Sequence, residues 1–151
     1  MRALLGSLTI TLLLGACAPP MGRVHSTTSF RATLNGAAET PPNASQAGGY
    51  LKAEYSYDSH ILKWEIYVNG LSSPMTRGYF HGPDGLGGEA GLLELNQPFS
   101  GNALIGGATL TAEQAADLLA GRWIVDIQTE QFPGGEIRGP VLRDSRLLRI
   151  P

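Results

Sequence analysis

Two runs near the middle of the chain alternate strictly between apolar and polar side chains. Within Gly48 to Tyr57, Leu51, Ala53, Tyr55 and Tyr57 fall on one face and Lys52, Glu54 and Ser56 on the other. Within Ile61 to Val68, Leu62, Trp64, Ile66 and Val68 point one way and Lys63, Glu65 and Tyr67 the other. A period of two belongs to a strand with one buried face. Asp58-Ser59 supplies a tight turn between the runs, so the stretch predicts a β-hairpin. His60 sits at that turn and reads as an exposed turn residue, since no second ligand lies near it.

The rest of the chain repeats the theme. Phe30 to Leu34, Met75 to Phe80, Leu92 to Leu95, Ala103 to Leu110, Trp123 to Thr129 and Glu136 to Arg138 read as further strands, separated by Asn-Gly, Pro and Gly-Gly breaks. The last two form a hairpin around Pro133-Gly134-Gly135, and alternation puts Glu136 and Arg138 on one face and Ile137 on the other. One helix is signalled. Thr111 can cap it, Gln114 completes a capping box, and Ala115, Leu118 and Leu119 make its apolar stripe before Gly121. With 20 glycines and only 16% charged residues, the composition suits a domain of many tight turns. The expectation is one all-β, antiparallel sandwich with one short helix before the last hairpin.

The first residues do not belong to that domain. Arg2 precedes an apolar run from Ala3 to Leu14, long enough for a signal segment and too short to span a bilayer. It ends in Leu14-Gly15-Ala16-Cys17, which resembles a bacterial lipobox, with Cys17 as the lipidated residue. Residues 1–16 are therefore read as a lipoprotein signal peptide and 17–29 as a flexible tether containing Pro19, Pro20 and a solvated His25. The domain is expected over 30–142, with 143–151 as a tail. With its only cysteine lipidated, the mature chain has no disulfide to rely on. The expected location is the cell envelope, lipid-anchored, at the outer membrane if the host is Gram-negative.

Several function classes are disfavoured. No basic stripe suggests nucleic-acid binding. The chain lacks a nucleophile elbow, a P-loop and a dinucleotide fingerprint. Gly85 to Gly88 is not flanked by a strand and a helix, and nothing in the sequence pairs Glu89 with Glu94. Asn43-Ala44-Ser45 is a formal glycosylation sequon whose chemistry is not expected in a bacterial lipoprotein.

Four separated motifs resemble the CHRD domain, first described in chordin. They are Ala32 to Pro42, Phe80-His81-Gly82-Pro83, Leu110 to Gln114 with Asp117 to Gly121, and Pro133 to Gly139. The resemblance implies an immunoglobulin-like sandwich or barrel and supplies no agreed catalytic residues. It points to a non-catalytic binding or structural module with a possible protein partner at the envelope and no cofactor. Glu136 and Arg138 are the structural or recognition candidates, read as an ion pair or hydrogen-bonded pin holding the final strand against the helix-to-strand connection. The alternative is a copper- or zinc-binding or redox domain resembling a superoxide dismutase sandwich. Many family members carry histidines where this chain has Tyr79, His81 and Gln128, so His81 is the weak metal candidate. Gln is a poor ligand beside imidazole, and Asp126 is placed on the strand face opposite Gln128's neighbours, which makes a closed site hard to build.

Overall fold

The computed structural model describes residues 26–82, 93–95 and 102–145. The signal segment, Cys17, His25, Gly85 to Gly88, Glu89 and the end of the tail lie outside them.

Among the described residues nine strands make one antiparallel sheet: β1 (Thr27–Asn35), β2 (Gly48–Ser56), β3 (Ile61–Asn69), β4 (Met75–His81), β5 (Leu93–Glu94), β6 (Ala103–Thr109), β7 (Ile124–Thr129), β8 (Ile137–Pro140) and β9 (Leu142–Arg143). The order is β5-β4-β7-β8-β1-β2-β3-β6, with β9 also on β1. The sheet curls into a half-barrel, in keeping with the expected all-β sandwich or barrel. One continuous sheet does the work of two layers, because β1 pairs with both β2 and β8 and joins the halves.

Sequence alternation dictates the inside. Leu51, Ala53 and Tyr55 of β2 and Leu62, Trp64, Ile66 and Val68 of β3 are all buried, as the period of two requires. From the other half, Phe80, Val125, Ile127 and Ile137 meet them. Phe80 sits between the rings of Trp64 and Trp123, 5.4 Å from each. Tyr57 breaks the pattern and lies exposed, since β2 ends at Ser56 and the turn begins there.

Helix α1 (Ala112–Leu119) carries the anticipated capping box. Thr111 Oγ1 accepts from Gln114 N–H, and Gln114 Oε1 accepts from Thr111 N–H. Leu118 and Ala115 bury its apolar stripe in the core. Arg122 pairs with Asp117 where the helix ends.

β1 starts at Thr27, inside the stretch read as tether, and Leu142–Arg143 pair back onto it. Arg31 reaches Asp144 at 3.6 Å, so the chain just past residue 142 is also held to the sheet.

Candidate functional site

The first and last motifs meet although they are far apart in the chain: Asn43, just after the first, and Gly135, in the last, are 92 positions apart. Asn35, at the end of β1, stands opposite Arg138 of β8. The loop after Asn35 carries Asn43, whose amide donates to the carbonyls of Gly135 and Glu136 at 3.1 and 3.0 Å. The formal sequon residue is thus committed to internal hydrogen bonds. Gly135 takes φ 126°, which only glycine adopts without strain, and a Cβ there would sit 2.6 Å from the Glu39 carboxylate. A Cβ on Gly139 would collide with the Thr33 carbonyl oxygen.

Glu136 is the knot of this junction. It is fully buried. Its carboxylate accepts from Ser45 Oγ at 2.7 Å, Ser72 N–H and Oγ both at 2.9 Å, and Thr129 Oγ1 at 2.7 Å. Burial alone would raise its pKa, but the bonds from Thr129, Ser45 and Ser72 together outweigh it and hold the group below the ordinary carboxylate value. The partners lie in the β1–β2 loop, the β3–β4 loop and β7. The pin therefore fastens three segments, none of them the helix-to-strand connection. Of the ion pair and the hydrogen-bonded pin expected here, Glu136 shows the hydrogen bonds. β8 begins at Ile137, so Glu136 belongs to the turn and strand alternation does not tie it to Arg138.

Arg138 serves a second cluster. The sheet register sets Tyr79, Asp126 and Arg138 in one row across β4, β7 and β8. Asp126 and Gln128 are two apart on one strand and share this face, with Gln128's neighbours Ile127 and Thr129 on the other. Gln128 Nε2 donates to Tyr79 Oη at 3.0 Å, and the Tyr79 and His81 rings are 5.4 Å apart. The sheet thus brings Tyr79, His81 and Gln128 together.

Two carboxylates are buried here, Asp126 and Glu39. Burial raises Glu39 to about 7, with the charge of Asp126 adding and Arg138 opposing. Burial likewise raises Asp126 to about 6 against the pull of Arg138. Glu39 Oε1 and Asp126 Oδ1 have no hydrogen-bond partner among the described residues. Tyr79 is raised by burial and by both acids. The sequence reading missed this pair as a site. A single Asp between Val125 and Ile127 in an apolar strand was the available signal, whereas Glu39 in a Pro-rich loop gave none.

His81 is buried, which lowers its pKa and keeps it neutral near pH 7. Its Nδ1 lies 2.8 Å from the Gly82 carbonyl. A carbonyl only accepts, so Nδ1 carries the proton and Nε2 the lone pair. Among the described residues Nε2 has no hydrogen-bond partner, and no three His, Cys, Asp or Glu side chains group closely enough to hold a metal ion. His60 is exposed, with φ 56°, and its Nδ1 pairs with Tyr55 Oη at 3.0 Å.

A groove of ≈ 840 Å³ crosses the outer face of β1, β2, β3 and β6. Arg31, Lys52, Lys63, Glu54 and Glu65 line it with both charge signs. Tyr50, also on its wall, stacks on Tyr67 at 4.9 Å.

No curated protein and no solved structure matched the chain. The model of the CHRD domain matches residues 30–141, which takes in both meeting motifs and nearly every described strand. On that match, the chain belongs to the CHRD domain family.

Proposed function

We propose that this is a lipoprotein of the cell envelope, anchored through Cys17, whose CHRD domain is a non-catalytic binding or structural module. One observation carries the reading. The motif's own acid, Glu136, spends four hydrogen bonds on fastening three segments of its fold. The motif glycines at 135 and 139 are likewise accounted for by close backbone approach. Residues that define the chain are thereby assigned to assembly of the domain. The mixed-charge groove is the surface offered to a protein partner, with Tyr50 and Lys52 as its contact residues.

Anchoring is supported by the apolar leader and by the position of Cys17, ten residues before β1 begins. Two or three acyl chains hold far more firmly than one, at about 0.8 kcal/mol per buried methylene. The test is labelling of bacterial cells expressing the full chain with an alkyne palmitate analogue, beside Cys17→Ser. Label in the membrane fraction, absent from the variant, is the expected result. Equal label in both, or none in either, refutes lipidation. A photo-crosslinker at Lys52 then asks whether the groove meets an envelope protein. The same sites giving no adduct would leave the structural role alone.

A further inference from the structure

β6 ends the sheet. β3 pairs with one of its edges, and no strand among the described residues pairs with the other. Flanking hydrogen bonds establish which backbone groups point outward. Val68 N–H donates to the Asn102 carbonyl and Leu110 N–H to that of His60, in register with Tyr67 opposite Ala103 and Ile61 opposite Thr109. Hydrogen-bonded and non-hydrogen-bonded pairs alternate in an antiparallel ladder. Leu104, Gly106 and Ala108 therefore turn their N–H and C=O toward β3. Ala103, Ile105, Gly107 and Thr109 turn theirs to the open side.

From Ile105 to Thr109 nothing on the strand protects this edge, while Ala103 at its start is 8% exposed. Its sequence, ALIGGAT, contains no charge and no proline. Ile105 is 56% exposed, the most exposed of the large apolar side chains among the described residues. Natural sheet edges are commonly blunted by lysine, proline or a bulge to prevent pairing with another chain. β6 carries neither residue and its ladder with β3 runs without a register shift.

We propose that β6 is a dimerisation edge, pairing antiparallel with β6 of a second copy about a two-fold axis at Gly106. Gly106 is the midpoint of β6, so this register uses the whole strand. Ala103 faces the partner's Thr109 and Ile105 faces the partner's Gly107, with the reciprocal pairs completing the set. Every outward-turned N–H and C=O finds an acceptor or donor. Ile105 packs over the bare backbone of the partner's Gly107. Charge fits as well. Within one sheet Glu65 lies opposite Ile105 and Lys63 opposite Gly107. Each row across the junction thus starts at Glu65 and ends at the partner's Lys63, so unlike charges flank the seam. An isologous contact of this kind closes on itself and uses up the β6 edge of both copies.

The test is sedimentation equilibrium of Ser26 to Pro151 over a wide concentration range, beside Ile105→Lys. Among the described residues the core runs from Phe30 to Val141, all of it inside this piece. The piece also lacks the only cysteine, which removes disulfide dimers. Wild type should show a reversible, concentration-dependent doubling of mass. Ile105→Lys should stay monomeric with an unchanged circular dichroism spectrum, because the side chain points to solvent. Thr109→Lys, at the exposed end of the same edge, should weaken the dimer likewise and guards against misfolding of the first variant. A monomer at every concentration overturns the proposal, as does a dimer that both lysine variants leave intact.

Discussion

Glu39→Gln should stabilise the domain at alkaline pH and leave it nearly unchanged in acid. Glu39 is 5% exposed, and its pKa rises from 4.5 to about 7 on folding. The folded state therefore holds a proton that the unfolded state releases between those values, so stability falls as pH rises through that window. At 1.36 kcal/mol per pKa unit, the shift sets a ceiling of roughly 3 kcal/mol on the cost of ionised Glu39. Asp126, raised from 3.8 to about 6, slopes the same way over a lower window. Glu136 opposes both: its lowered pKa contributes stability above its unfolded value that is lost as pH falls through the folded one. Stability should then peak at moderately acidic pH, between the protonation of Glu136 and the ionisation of the other two. Glutamine keeps the shape of Glu39 and cannot ionise, so it should remove one arm of that slope. Urea unfolding of Ser26 to Pro151 at pH 5 and pH 8 measures it. The variant should gain up to the stated ceiling at pH 8 and well under half of it at pH 5, which lies only just above the unfolded value. Wild-type stability that is flat or rising from pH 5 to 8, or an equal effect of the variant at both, would refute the electrostatic reasoning.

Three further outcomes follow from the same junction and its neighbour. Glu136→Ala strands the donors of Ser45, Ser72 and Thr129 in a buried space, and should cost at least about 3 kcal/mol in urea unfolding, since hydrogen bonds to charged groups contribute about 1.5–3 kcal/mol each. Gly139→Ala forces β8 away from the Thr33 carbonyl and should lower the melting temperature by roughly 10 °C or more, as expected for a loss of a few kcal/mol in a domain this size; an unchanged melt would mean that β1 and β8 separate freely. The domain purified without chelator should carry no stoichiometric copper or zinc by elemental analysis; metal that is present and lost in His81→Ala would make His81 Nε2 a ligand.

Much of the fold was legible because local rules and the final structure agree. The alternation in β2 and β3 fixed which side chains go inward, and every such residue of β3 is buried. The capping box around Thr111 needs only residues three apart, so the chain announces it directly. The motif stretches were legible as well, but their purpose was not. Nothing local in Pro133 to Gly139 says that its acid will be met by Ser45 and Ser72, or that Asn43 will hold its turn. Alternation even misdirected the reading there, because it was applied one residue before the strand begins.

What the sequence alone determined about this protein is its all-β character, its hairpins, its single capped helix and the motifs of its family, since all of these depend on neighbours within a few residues. Only the tertiary structure decided the rest. Strand register placed Tyr79, Asp126 and Arg138 in one row, and burial set Glu39 and Asp126 apart from ordinary acids. The physical reason is that a side chain's charge state and partners depend on the desolvation and hydrogen bonds it meets across the sheet, and those come from residues distant along the chain.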